Sequence, residues 1–111
     1  MTNLQSFLDT VKQREFDVAE TERLLTLTNI NVWYSWGVSK IAYYNSSTLS
    51  LFVNANHHQG WVVVTLSFMD LYSYYLLNKD FTIKKEVHEV YFDELQTRID
   101  KDIEFIDDYQ F

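Results

Sequence analysis

The apolar period changes twice along this chain, and no other feature constrains its fold so tightly. Leu4, Phe7, Leu8 and Val11 fall at i, i+3, i+4 and i+7, the stripe of a short amphipathic helix. Thr2 or Asn3 is the candidate cap. Asp17 followed by Glu20 is a capping-box variant, with Asp in place of Ser or Thr, and opens a second helical stretch to about Leu27. The two stretches read as separate helices or as one bent helix. From Asn31 the residues become aromatic and β-branched, as strands prefer: 32–36, 41–44, 49–53, 61–68 and 71–77. Gly37 marks a bulge or tight bend between the first two runs. Connections this short favour four antiparallel strands in a meander, with 81–87 as a further edge segment. From about Tyr91 the helical period returns. Phe92, Leu95, Ile99, Ile103 and Ile106 share one narrow arc at about 100° per residue. The expected class is α+β: an antiparallel four-stranded meander sheet with an N-terminal helix or helices and a C-terminal acidic amphipathic helix. At 111 residues the chain is read as a single domain, 1–111, able to bury a core without staples.

Composition narrows the chemistry. There is no cysteine, which excludes disulfides, thiolate metal sites and a cysteine nucleophile. Proline is absent and only Gly37 and Gly60 occur, so turns such as Asn45-Ser46-Ser47 fall to Asn, Asp and Ser. The first twenty residues lack a basic start followed by an apolar run, and no apolar stretch is long enough to span a bilayer. The expectation is a cytoplasmic protein that does not engage a membrane.

The charge is lopsided. Residues 1–85 carry as many acids as bases, and the whole net charge of −7 resides in residues 86–111. On a helical wheel Asp93, Asp100, Glu104 and Asp107 line one flank of the last helix, in a stripe about 21 Å long at a rise of about 1.5 Å per residue. Arg98 and Lys101 lie on the other side. Such a stripe is a solvated face or the complement of a basic partner. Direct nucleic-acid binding is disfavoured, because no basic stripe exists and phosphate would be repelled.

Candidate chemistry is sparse. His57-His58 lies in a polar loop without a third ligand nearby in sequence. His88-Glu89 begins like a zincin helix, but Phe92 stands where the second histidine belongs. Ser35, Ser39, Ser67 and Ser73 have no histidine at a telling spacing, and the carboxylates of an exposed helix supply no cleft. The chain is read as non-enzymatic, with no cofactor and no metal. In the 71–77 run Tyr72 and Tyr74 share one face, so a sheet covered on one side only would expose aromatics for association. The equal alternative is that the N-terminal helices cover the second face. For Trp33, Trp36 and Trp61 taken singly, core packing is the better reading.

Asn31-Val32-Trp33-Tyr34-Ser35-Trp36-Gly37-Val38-Ser39-Lys40 and Ser47-Thr48-Leu49-Ser50-Leu51 resemble segments of a family of small phage and mobile-element proteins. The resemblance continues through residues 61–67, Asp70-Leu71-Tyr72 and 85–95, and departs from the family pattern at Trp36, where a small or apolar residue is usual. It implies a setting, not an activity, and brings no catalytic residues. The functional expectation is an interaction protein, in one form an inhibitor of a host defence nuclease, anti-CRISPR or anti-restriction. Its partner would be a host nucleic-acid-binding protein with a basic groove. Asp93, Asp100, Glu104 and Asp107 would make the electrostatic contact, with Tyr72, Tyr74 or Trp36 as aromatic anchors. The alternative is an accessory protein that forms a homodimer through its aromatic sheet face, the acids serving only solubility.

Overall fold

A computed structural model describes residues 4–11, 14–44 and 47–104. Three helices, α1 (Leu4–Val11), α2 (Val18–Leu27) and α3 (Ile30–Ser35), precede strands β1 (Lys40–Tyr44), β2 (Thr48–Asn54), β3 (Gln59–Leu66), β4 (Tyr72–Leu77) and β5 (Ile83–Val90). A single 3-10 turn (Phe92–Glu94) then leads into α4 (Leu95–Ile103). The class is α+β. The sheet has five antiparallel strands in the order β1-β2-β3-β4-β5, a pure meander.

The meander is one strand longer than the four expected, because 81–87 is no marginal segment. It pairs with β4 from Ile83 to Val90, although with two register irregularities. A second difference lies at residues 32–36, which are helical despite their β-prone composition. Asn29 caps α3, its side-chain oxygen accepting from the amides of Asn31 and Val32. The carbonyl oxygens of Leu25 and Asn29 both accept from the side-chain amide of Gln96 on α4. Capping and a long-range anchor override intrinsic preference here. Helical phase also brings the rings of Trp33 and Trp36 to 5.7 Å, whereas an extended strand would send side chains three residues apart to opposite faces.

Gly37 turns the chain out of α3 with φ of 61°, and a Cβ there would stand 2.8 Å from the Asn54 carbonyl oxygen, so the bend expected at this position is real. At α2 the Asp17 carboxylate accepts from the Glu20 amide at 3.0 Å, the capping arrangement legible in the sequence. The candidate caps Thr2 and Asn3 and the turn residues Asn45 and Ser46 lie outside the described residues.

Strand alternation splits the core. Leu49, Leu51, Val53, Val62, Val64, Tyr72, Tyr74 and Leu76 face α2, α3 and α4, where they meet Leu25, Trp36, Leu95, Ile99 and Ile103. The opposite face carries Val63, Tyr75 and Leu77 and is covered by Phe7 and Leu8 of α1. Phe7 meets Tyr75 edge-on at 5.4 Å. Both sheet faces are therefore packed, and among the described residues α1 is the helix that covers the second face. Phe92, which sequence periodicity puts on the apolar arc, is 64% exposed, because the 3-10 turn shifts it out of phase with α4.

Candidate functional site

The acids of the C-terminal segment fall into two groups. Asp100, Asp102 and Glu104 are half-buried and tie α4 to the rest of the molecule. The Trp36 indole Nε1 donates to Asp100 Oδ1 at 2.9 Å. The Tyr74 hydroxyl donates to Asp102 Oδ2 at 2.5 Å, and Lys85 Nζ donates to Asp102 Oδ1 at 2.8 Å. The backbone and side-chain amides of Asn56 both donate to the Glu104 carboxylate. Burial, reinforced by the neighbouring Asp102 carboxylate, pushes the Tyr74 phenol far above its ordinary pKa, so its proton stays in place. Glu86, Glu89, Asp93 and Glu94 form the second group and are solvent-exposed. Asp93 and Glu94 precede α4 at its positive dipole end, where acids are favourable by about 0.3–1 kcal/mol each.

The expected contact set therefore divides. Asp93 is exposed, Asp100 and Glu104 are partly engaged in structural hydrogen bonds, and Asp107 lies outside the described residues. The three expected aromatic anchors are corrected outright. Trp36 is 0%, Tyr74 1% and Tyr72 9% exposed, so none can reach a partner from within this fold. The reason is strand phase: Tyr72 and Tyr74 lie on the face of β4 that α2 and α4 cover, and the Tyr72 hydroxyl hydrogen-bonds Thr21 of α2 at 2.8 Å. Among the described residues the exposed large aromatics are Tyr34, Tyr43, Phe68, Tyr91 and Phe92.

The His57-His58 loop also has a structural task. The His57 amide donates to the Ile103 carbonyl oxygen at 2.7 Å, satisfying a C-terminal carbonyl of α4. His58 is buried, its Nε2 lying 3.0 Å from the Trp61 carbonyl oxygen. Burial holds its pKa below the ordinary histidine value. Among the described residues no three metal-ligating side chains converge.

One arrangement escaped the sequence reading. Ser73 Oγ lies 2.9 Å from His88 Nδ1, and His88 Nε2 lies 3.8 Å from Glu86 Oε2. The pair opens on a cleft of about 370 Å³ lined by Ser67, Met69, Leu71, Ser73, His88 and Glu89. A hydroxyl, an imidazole and a carboxylate in a row have the outline of an activated nucleophile. Acyl transfer further requires donors for the developing oxyanion. In the loop bordering the cleft, the amides of Met69 and Leu71 donate to Ser67 Oγ and that of Asp70 to the Ser67 carbonyl oxygen. With these amides occupied and Ser73 only 4% exposed, the geometry fits a cross-strand polar clasp on β5 better than a catalytic centre. The pairs Tyr75↔Glu86 and Tyr74↔Val87 end at a register irregularity between Tyr72 and Tyr74, and Ser73 meets His88 there. Residue spacing carries no signal for this pair, because it depends on how β4 and β5 pair.

No family model, curated protein or solved structure matches this chain. No helix among the described residues is long and apolar enough to cross a membrane.

Proposed function

We propose that this is a non-enzymatic binding protein that presents the acids of its C-terminal segment to a basic surface. The observation that carries this reading is the division of those acids. Asp100, Asp102 and Glu104 hold α4 in place, while Glu89, Asp93 and Glu94 are exposed ahead of it in the chain and Glu86, opposite Tyr75, is exposed on the other face of the sheet. A rigidly mounted field of one sign speeds encounter with a partner of the other sign and rejects wrong ones. The partner class this surface complements is a protein whose basic groove otherwise holds nucleic acid. A host defence nuclease is the specific form suggested by the resemblance to phage and mobile-element proteins.

The test is affinity capture from bacterial lysate, with the wild type compared against a variant carrying Glu86→Gln, Glu89→Gln, Asp93→Asn and Glu94→Gln. These residues are exposed, so the variant is expected to fold as the wild type does. Recovery of a nucleic-acid-binding protein by the wild type alone, released by rising salt, supports the reading. Identical recovery by both, or none by either, refutes it.

A further inference from the structure

An extra residue in β5 brings two polar side chains into one cleft. Between the pairs Tyr74↔Val87 and Tyr72↔Val90, β4 advances two residues while β5 advances three. Val87 and Val90 both pack on the sheet face that α2 and α4 cover, so the bulge falls on His88 and Glu89. Glu89 adopts φ of 60°, a conformation that suits glycine and that other residues adopt with strain. Regular alternation would send His88 and Glu89 to opposite faces. Here both line the cleft of about 370 Å³, with Ser67, Met69, Leu71 and Ser73. Glycine would make the same bulge at lower cost, but would bring no carboxylate to the cleft.

The lining has a defined polarity. Glu86 Oε2, 3.8 Å from His88 Nε2, favours the ring proton on that nitrogen, so Nδ1 accepts from the Ser73 hydroxyl 2.9 Å away. Ser73 Oγ then keeps its lone pairs for a donor in the cleft. The Glu89 carboxylate, in no ion pair among the described residues, adds further acceptors and a negative charge. No lysine or arginine is among the residues that line the cleft. Arg14 and Arg98, towards the same end of the sheet, are already paired, with Asp70 at 3.1 Å and Glu94 at 4.0 Å. Met69 and Leu71 supply an apolar wall. Phe68, Tyr91 and Phe92, all exposed, continue past that end of the sheet, which the pairs Leu66↔Tyr72 and Tyr72↔Val90 mark.

We infer that this cleft takes an arginine side chain of a basic partner protein, its guanidinium on Glu89 and Ser73 and its methylene stem along Met69 and Leu71. The inference rests on the acidic-surface reading above and gives that surface a shaped contact. A guanidinium is the cation these groups fit. It donates to several acceptors at once, can engage a carboxylate through two bonds, and is weakly hydrated enough to lie against apolar and aromatic surface. An ammonium matches the charge but not the spread of acceptors.

Proton–nitrogen correlation NMR on the full chain tests the inference, with N-acetyl-arginine amide as the probe and its citrulline and lysine counterparts as controls. Saturable shifts are expected at the amides of residues 67–73 and 86–90, with a dissociation constant of about a millimolar, as fits so small a ligand. Citrulline, which has the shape without the charge, is expected to give none, and lysine to bind more weakly than arginine. Glu89→Gln is expected to weaken arginine binding about ten-fold. Glu89→Gly relieves the backbone strain, so it is expected to keep the wild-type urea midpoint while losing the arginine shifts. Absent shifts, equal shifts with citrulline, lysine binding as tight as arginine, or shifts that Glu89→Gln leaves unchanged overturn the inference. The affinity capture described above separates this failure from that of the wider reading. A partner captured by the wild type without arginine binding removes the cleft and leaves the acidic surface standing. Arginine binding without a captured partner supports the cleft and removes the acidic-surface reading.

Discussion

Removing the indole donor of Trp36 isolates the staple that holds α4 over the sheet. In Trp36→Phe a ring remains in the buried site while the Nε1–H to Asp100 bond of 2.9 Å is lost. A hydrogen bond to a charged acceptor contributes roughly 1.5–3 kcal/mol. Asp100 is half-buried and can recover part of that from water once Trp36 no longer donates, which sets the bond at the lower end. Loss of indole volume adds a cavity term, because the side chain is completely enclosed. The expected destabilisation is about 2–4 kcal/mol for Trp36→Phe and about 1–2 kcal/mol for Asp100→Ala. The cavity and bond contributions separate in a double-mutant cycle, where the coupling between the two positions is expected at about 1–2 kcal/mol. Urea unfolding followed by far-UV circular dichroism measures it, with an unchanged m-value as the check that the unfolded state is unaltered. Additive effects of the two substitutions would refute the argument, since the bond would then contribute nothing to holding the helix.

Two further outcomes follow from the backbone and the core. Gly37→Ala forces an L side chain into φ of 61° with its Cβ 2.8 Å from a backbone oxygen, and is expected to cost about 1–3 kcal/mol in the same urea assay. An unchanged midpoint would mean the turn relaxes freely. His58 titrates below the ordinary histidine value of about 6.5 in the folded chain, chiefly because burial penalises the imidazolium. As pH falls through that value the unfolded state takes the proton first, so the stability His58 contributes is complete above about 6.5 and is lost below it. Urea midpoints measured between about pH 7 and pH 5 should fall more steeply for the wild type than for His58→Gln. Equal slopes would show that His58 is not the titrating group.

The helical and strand periods, the Asp17 cap and the arc of Leu95, Ile99 and Ile103 were legible because each arises from local spacing that one face of packing rewards. The class α+β and the meander order follow from the same short-range information. What the spacing misplaced were positions where a distant residue decides. The 30–35 segment is helical through the Asn29 cap and Gln96 some sixty residues away, against its own strand preference. Ser73 meets His88 only because β4 and β5 pair, at a point where their register is irregular.

By itself the sequence determined the class of this protein, its alternation of apolar faces, and the concentration of negative charge in the last quarter. Only the tertiary structure decided which acids are internal fasteners and which remain on the surface. It also decided that Tyr72 and Tyr74 belong to the core. The physical reason is the same in each case. Periodicity records that a side chain has a buried face, whereas its hydrogen-bond partner is fixed by chain segments that come together only when the sheet and its helices pack.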